Sequence, residues 1–160
     1  MKIRNATMHD LEAISAVEAA CFPKAEAATK ESFEARLKHY PAHFWLLFDE
    51  DELVSFVDGM VTNEANLTDE MYENAALHDE NGAWQMIFGV NTIPACRKQG
   101  FAEKLLRRAI EDSRVQDRLG LVLTCKEQLV HYYAKFGFVN EGVSDSVHGG
   151  AVWYQMRLKF

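Results

Sequence analysis

The spacing of apolar residues alternates between helical and extended along the chain. Near the start, Thr7 with Asp10 three residues later has the pattern of a capping box, which predicts a helix that ends at Phe22. A second helix with an apolar stripe is predicted to open at Thr29 or Glu31. The N-terminal part is therefore predicted to hold a short strand and a pair of helices.

Short apolar runs bounded by turn residues predict the strands. The run 44–48 is aromatic and too short for a helix, and the acidic segment 49–52 predicts a turn that completes a hairpin. The run 84–90 is almost continuously apolar, as in a strand covered on both faces. The predicted strands are residues 2–4, 44–48, 53–61, 84–90, 121–124, 138–141 and 152–158.

The second half of the chain adds two more helices. Residues 100–113 place apolar side chains on one side and charged ones on the other, which predicts an amphipathic helix. Apolar residues at helical spacing over 129–136 predict another helix, with Gly137 as its stop. A short helix is expected inside the long connection 62–82. This order predicts one domain, residues 1–160, of the mixed α/β class with a single sheet.

Charge is distributed unevenly along the chain. Residues 39–96 contain 11 acidic residues and no Lys or Arg, which leaves 13 acidic and all 17 basic residues to the rest. Such a division suits a cationic ligand in one region and an anionic ligand in another. Because no basic stripe with interleaved aromatic residues is present, the pattern gives no support to nucleic-acid binding.

The composition is that of one soluble globular domain, with 160 residues of which 48% are hydrophobic and 26% charged. Cys21, Cys96 and Cys125 form no closely spaced pair, and their odd number predicts reduced thiols rather than a disulfide framework. Residues 1–5 lead into polar sequence, and no window approaches the about 20 apolar residues of a membrane helix. We therefore expect a cytoplasmic protein.

A junction between a predicted strand and a predicted helix carries the strongest chemical pattern. Segment 97–102 reads RKQGFA, with the small residues Gly100 and Ala102 just where the chain enters the helix. Small residues let backbone N–H groups approach an anion, and the helix N-terminus adds partial positive charge. The segment predicts a cradle for a pyrophosphate, although it is neither a Walker A loop nor a GxGxxG fingerprint.

This junction resembles the acetyl-CoA motif [RQ]-x-x-G-x-[GA] of the Gcn5-related N-acetyltransferase (GNAT) family, which Arg97, Gly100 and Ala102 satisfy. Downstream, the string YAKFGF over 133–138 looks like a second signature of that family. The similarity spans nearly the whole chain and looks closest to the arylalkylamine (serotonin and dopamine) N-acetyltransferase branch. It implies a mixed, mostly antiparallel sheet flanked by helices, with strands splayed at the cofactor site.

The resemblance also implies acetyl-CoA as cosubstrate and no metal. His39 and His43 have helical spacing, but Pro41 between them interrupts a helix, so a shared metal ion is not expected there. Backbone groups after the apolar strand would pair with pantetheine, and the cradle would hold the pyrophosphate. The predicted cofactor-binding residues are Phe88, Gly89, Val90, Arg97, Lys98, Gln99, Gly100, Phe101, Ala102, Glu103 and Tyr133.

Amine acetylation needs one group that takes a proton from an ammonium and another that returns a proton to the CoA thiolate. The resemblance assigns the general acid to Tyr133, for which helix packing is the alternative role. Trp84 and Met86 stand where vertebrate serotonin enzymes have histidines, and neither can carry a proton. Glu26 lies where insect dopamine enzymes have a catalytic glutamate and is the predicted base, with His148 as its rival.

The sequence thus predicts an acyltransferase that moves an acetyl group from acetyl-CoA directly to a primary amine, such as a small arylalkyl amine. A protein N-terminal acetyltransferase and a non-catalytic acyl-CoA-binding module are the alternatives. We expect a monomer or a homodimer, with no nucleic-acid or membrane partner.

Overall fold

The computed structural model describes residues 1–160 and places helices on both sides of two β-sheets. The helices are α1 Leu11–Cys21, α2 Lys30–His39, α3 Asp69–Glu73, α4 Phe101–Val115 and α5 Val130–Ala134. The strands are β1 Lys2–Asn5, β2 Phe44–Asp49, β3 Glu52–Asp58, β4 Val61–Thr62, β5 Trp84–Ile87, β6 Gly89–Thr92, β7 Gly120–Cys125, β8 Val139–Val143 and β9 Tyr154–Lys159.

Hydrogen bonding divides the strands into two sheets. One has four strands in the order β1-β2-β3-β6, and the other has five in the order β4-β5-β7-β9-β8. Every strand pair is antiparallel except β5 with β7. The mixed, mostly antiparallel architecture is therefore confirmed, while the single sheet that was predicted is split into two.

The predicted strand over 53–61 is wrong at its end, because the chain leaves the first sheet at Gly59. β3 ends at Asp58, and Val61 already belongs to the second sheet. A Cβ atom built on Gly59 would lie 1.7 Å from the carbonyl oxygen of Met86. A residue without a side chain is therefore required where the chain crosses this close to β5.

The apolar run 84–90 is likewise not one continuous strand. β5 ends at Ile87 and β6 begins two residues later, while Phe88 between them donates its backbone N–H to the carbonyl oxygen of Asp58 over 2.7 Å. β5 pairs with β7 as far as Ile87 opposite Leu123, whereas β6 pairs with β3 in the other sheet. β6 and β7 therefore diverge and leave a cleft between the sheets.

Two apolar cores hold the layers together. On one side, Ile14 of α1 and Phe33 of α2 pack with Met86 of β5, and on the other Leu105 of α4 packs with Leu123 of β7. Burial of such side chains contributes about 1.5–3 kcal/mol each, so both helical layers are fixed against the sheets that border the cleft. None of the helices combines the length and the apolar composition that crossing a bilayer requires.

The helix ends follow the local sequence signals with two adjustments. The capping box of Thr7 and Asp10 is present, but it opens a 3₁₀ turn that runs directly into α1. The side chain of Thr29 caps α2 by accepting a bond from the backbone N–H of Ser32. The predicted helix over 129–136 is shortened to a 3₁₀ turn followed by α5, since the chain turns back toward β8.

Candidate active site

The divergence of β6 from β7 opens two adjoining cavities. The inner cavity, of about 600 Å³, is bordered by α1, α2, the ends of β5 and β7, and the loop before β9. The cradle cavity, of about 460 Å³, lies at the start of α4. Val90, Leu129 and Tyr133 line both, so the two cavities share one wall.

The cradle cavity is built on the N-terminus of α4. Gly100 precedes the helix with φ of +82°, a left-handed conformation that favours glycine, and a Cβ there would point into open space. The first N–H groups of an α-helix have no partner within it and carry partial positive charge, so they face the cavity as anion-binding donors. Of the predicted cofactor residues, this cavity is lined by Val90, Arg97, Lys98, Gly100, Phe101, Ala102, Glu103 and Tyr133.

Three predicted cofactor residues lie elsewhere. Gln99 lines neither cavity, while Phe88 and Gly89 line the inner one. The side chain of Phe88 points toward α2 and α3, where its ring centre lies 4.5 Å from that of Tyr72. The backbone of Phe88 and Gly89 therefore borders the cleft, while the Phe88 side chain belongs to the inner cavity.

Ion pairs determine the charge of the cradle cavity. The Nζ of Lys135 lies 2.9 Å from the carboxylate of Glu103 and lowers the pKa of that carboxyl group. The Nε of Arg97 donates to the carbonyl oxygen of Thr92 over 3.1 Å. Because Lys135 offsets the acid nearest the helix start, Arg97 and Lys98 leave the cavity with a positive balance suited to a phosphate.

Tyr133 occupies the shared wall. Its residue surface is only 7% exposed, and its ring packs edge-on against Tyr132 and Phe138, with centroids 5.1 and 6.2 Å away. Burial raises the pKa of its phenol well above the usual value. The hydroxyl therefore keeps its proton at neutral pH and can act as a donor to a group in either cavity.

The base candidates from the sequence occupy different settings. Glu26 lines the inner cavity, but its carboxylate lies 2.9 Å from the Nζ of Lys126. His148 also lines the inner cavity, where its ring stacks on Tyr72 and its Nε2 donates to the carbonyl oxygen of Glu26 over 2.8 Å. Trp84 and Met86 are buried in the apolar core. Glu26 and His148 are thus neighbours on one wall.

A buried polar group beneath the inner cavity was not singled out from the sequence. The Nη1 of Arg36 donates to Asp58 Oδ2 over 3.0 Å, and its Nη2 donates to the carbonyl oxygen of Tyr72 over 3.1 Å. Asp58 Oδ1 and Asn91 Oδ1 have no hydrogen-bond partner, and both residues are 1% exposed. Such unpaired buried oxygens are uncommon and mark a place where a polar ligand can bind.

Glu18 of α1 completes this group. Its Oε2 accepts the backbone N–H of Ala28 over 2.9 Å, and no Lys or Arg forms an ion pair with it. Burial raises the pKa of its carboxyl group to about 7. One feature of the sequence could have identified Glu18, because it is a charged residue on the otherwise apolar face of the predicted first helix.

A second polar cluster, formed by His43, His78 and Glu80, lies away from the cleft. His78 Nδ1 accepts the backbone N–H of Val61 over 3.0 Å, so the neutral ring carries its proton on Nε2, which donates to Glu80 over 2.8 Å. His43 bonds Gln85 Oε1 through Nδ1 and Glu80 through Nε2, over 2.8 and 2.9 Å. These bonds tie His43, His78 and Glu80 together and anchor the long connection to β4 and β5.

Solved structures share this fold over nearly the full length of the chain. GphF, a GNAT-like decarboxylase in complex with isobutyryl-CoA, has a TM-score of 0.86 at 22% identity and covers 99% of both chains. The PaiA N-acetyltransferase from Thermoplasma acidophilum, in complex with coenzyme A, has a TM-score of 0.73 at 16% identity, over 99% of this chain and 98% of that one. A ribosomal-protein-alanine N-acetyltransferase from Brucella melitensis has a TM-score of 0.73 at 15% identity over 100% of both.

These identities are low, so the solved structures support the fold alone. The sequence itself carries the family assignment, because residues 10–160 match the family described as acetyltransferase (GNAT) domain. That match includes α1, the split strand, the cradle and Tyr133. The chain therefore belongs to the GNAT acetyltransferase family and has the domain of an acyl-CoA-dependent transferase.

Proposed function

We propose that this protein transfers an acetyl group from acetyl-CoA to a small primary amine. The observation that carries the proposal is the position of Tyr133, a buried and protonated phenol on the wall between a cationic cavity and a cavity rich in carboxylates. A reaction between an anionic thioester and a cationic amine needs that juxtaposition, since the departing thiolate must receive a proton where the two substrates meet.

The residues present fit the CoA pyrophosphate. The open space beside Gly100 and the free N–H groups at the start of α4 provide an anion cradle, which Arg97 and Lys98 supplement with charge. A phosphate there would direct the pantetheine arm along β6 toward Tyr133. The thioester supplies an activated acyl carbon, while Tyr133 donates a proton at the sulfur as it leaves.

The inner cavity suits an amine with an apolar or aromatic body. Tyr72, Phe88 and Trp153 contribute aromatic surface, and Glu18 and Asp58 contribute carboxylates at its floor. Aromatic faces and carboxylates both attract an ammonium group. This lining supports the arylalkylamine class inferred from the sequence, and it also admits the amino terminus of a peptide.

An acceptor screen tests the proposal. Release of free CoA thiol from acetyl-CoA is measured with arylalkyl amines, polyamines and short peptides, and each product is identified by mass spectrometry. We expect turnover with at least one small primary amine. Binding of CoA without turnover on any amine or peptide would leave a non-catalytic binding module as the function, and turnover on peptides alone would make it a protein acetyltransferase.

Replacement of Tyr133 by Phe tests the general acid. Loss of a positioned proton donor lowers turnover by about 10²–10⁴-fold. The dissociation constant of CoA should stay within about twofold, because the ring and its packing are retained. Unchanged turnover in Tyr133→Phe would show that the phenol only packs the wall. Tyr132→Phe, on the same helix, is the matched control.

A second candidate function is decarboxylation of a carboxylated acyl-CoA. This reaction comes into consideration because one structure with the same fold, at 22% identity, is a GNAT-like decarboxylase. Release of carbon dioxide from malonyl-CoA or methylmalonyl-CoA in the absence of any amine would establish it. Amine-dependent thiol release without carbon dioxide supports amine acetylation instead.

A further inference from the structure

Two carboxylates from separate elements, Glu18 of α1 and Asp58 of β3, lie beside Gly89 at the floor of the inner cavity. A Cβ atom built on Gly89 would lie 2.9 Å from Asn91 Nδ2, 3.1 Å from Asp58 Oδ1 and 3.7 Å from Glu18 Oε1. Glu18, Asp58 and Gly89 all line the cavity. A Cβ at Gly89 would already crowd the amide nitrogen of Asn91, so no ligand atom can take that position. The part of the inner cavity bordered by Glu18, Asp58 and the backbone of Gly89 is here called the acidic well.

The charges around the acidic well do not balance. Arg36 and Asp58 form a buried ion pair at 3.0 Å, with side chains 4% and 1% exposed, so their charges offset each other. Glu18 is 6% exposed and is held by one backbone N–H rather than by a cation of its own. An ionised Glu18 therefore gives the well one net negative charge, which a cationic ligand would neutralise.

The hydrogen-bonding capacity of the acidic well is also incomplete. Asp58 Oδ1 is a buried acceptor without a donor, and Glu18 offers a second carboxylate beside it. A primary ammonium carries three N–H donors on a compact nitrogen, which matches these carboxylate oxygens. An anionic or purely apolar ligand would leave Asp58 Oδ1 unpaired, at a cost of about 1–3 kcal/mol.

We propose that the acidic well binds the ammonium group of the acceptor and that Glu18 takes its proton, which makes Glu18 the catalytic base. The inference rests on the proposed function, since it assigns the amine-binding and proton-accepting groups of that same reaction.

The proposed step balances its protons and electrons. A Glu18 oxygen takes one proton from the ammonium, and the freed nitrogen lone pair forms a C–N bond to the thioester carbonyl carbon. The C–S bond breaks with its electron pair leaving on sulfur, and Tyr133 gives its phenolic proton to that sulfur. The acylated nitrogen returns its excess proton to the Tyr133 oxygen. The products are an amide, the CoA thiol and one proton, which Glu18 releases to solvent.

The surroundings of Glu18 favour this role over Glu26. Arg36 faces Glu18 from α2, Asp58 faces it from β3, and Cys21 is the titratable neighbour on its own helix. With burial as the main cause, these neighbours place the pKa of Glu18 at about 7, where a base works best near neutral pH. Glu26 is already engaged by Lys126, and that ion pair must open before its carboxylate can take a proton.

The test compares Glu18→Gln with Glu12→Gln, an exposed glutamate on the same helix. The kcat/KM for the amine identified in the screen is measured from pH 5.5 to 9.5, and CoA affinity is measured by calorimetry. We expect Glu18→Gln to lose about 10²–10⁴-fold in kcat/KM and to lose the inflection near pH 7, with CoA affinity and the behaviour of Glu12→Gln unchanged.

A weakly basic acceptor shows whether Glu18 acts as a base or only supports the structure of the site. An arylhydrazine is already unprotonated at neutral pH, so Glu18→Gln should acetylate it at nearly the wild-type rate. An equal loss with both acceptors, or an unaltered pH profile with the basic amine, would overturn the assignment. Should the wild-type enzyme fail to use any amine, the proposed function itself fails, which the screen reports independently of the variant.

Gly89→Ala provides an independent check. The added methyl group would lie 2.9 Å from Asn91 Nδ2 and 3.1 Å from Asp58 Oδ1, so it would displace the side chains that border the acidic well. We expect KM for the amine to rise at least tenfold, with CoA affinity retained, since the methyl points toward the well rather than toward the cradle cavity. An unchanged KM for the amine would show that the ammonium binds elsewhere.

Discussion

The buried carboxyl group of Glu18 predicts an unusual dependence of stability on pH. Its pKa is about 7 in the folded protein, against an ordinary value of 4.5 in the unfolded chain. Between these values the folded state holds a proton that the unfolded state has lost, so unfolding releases a proton and stability falls as pH rises. At 1.36 kcal/mol per pH unit, the contribution lost between pH 4.5 and above 7 is about 3 kcal/mol.

Glu18→Gln removes this titration while keeping an oxygen that can accept the backbone N–H of Ala28. The free energy of unfolding is measured by urea titration of both proteins at pH 4.5, 6, 7 and 8. We expect the free energy of unfolding of the variant, relative to that of the wild type, to rise by about 3 kcal/mol from pH 4.5 to pH 8. All other titrating groups are common to both proteins and cancel in this difference. Glu12→Gln should show a constant difference. A constant difference for Glu18→Gln as well would refute the claim that its carboxyl is perturbed by burial.

Three further predictions concern other parts of the site. Gly100→Ala forces a side chain into a left-handed conformation, so we expect a loss of about 1–2 kcal/mol in stability by urea unfolding and weaker CoA binding by calorimetry; unchanged values would contradict the role of its φ of +82°. Asp58→Asn leaves Arg36 buried without its carboxylate and should lower the free energy of unfolding by about 3–5 kcal/mol; a loss below 1 kcal/mol would show that the pair is dispensable. Glu26→Gln should keep the pH–rate inflection near 7, and its disappearance would restore Glu26 as the base.

Features that are local in the chain could be predicted from the sequence. The cradle depends on the six consecutive residues 97–102, and the capping box on Thr7 and Asp10, so short patterns were sufficient. The family match also confirms the fold that those patterns implied. The arylalkylamine branch and the catalytic roles stay predictions, because they depend on loops whose geometry the motifs do not encode.

Features that arise between distant segments could not be predicted. The run 84–90 is apolar throughout, and nothing in its pattern indicates that Phe88 separates two sheets, since that break follows from how Asp58 bonds to its backbone. The acidic well draws on residues from α1, β3 and β6, which no spacing rule connects. Glu18 stood on an apolar helix face, and its position beside Asp58 and Gly89 arises only from the folded chain.

The wall that Tyr133 forms with Val90 and Leu129 has a thermodynamic consequence for the two ligands. The same three side chains line both cavities, so a molecule that contacts them in one cavity can alter the surface that the other presents. If bound CoA changes the affinity for the amine by some factor, bound amine must change the affinity for CoA by the same factor, because the coupling free energy belongs to the pair of ligands. Mutual strengthening would make the ternary complex the dominant bound species when both substrates are scarce.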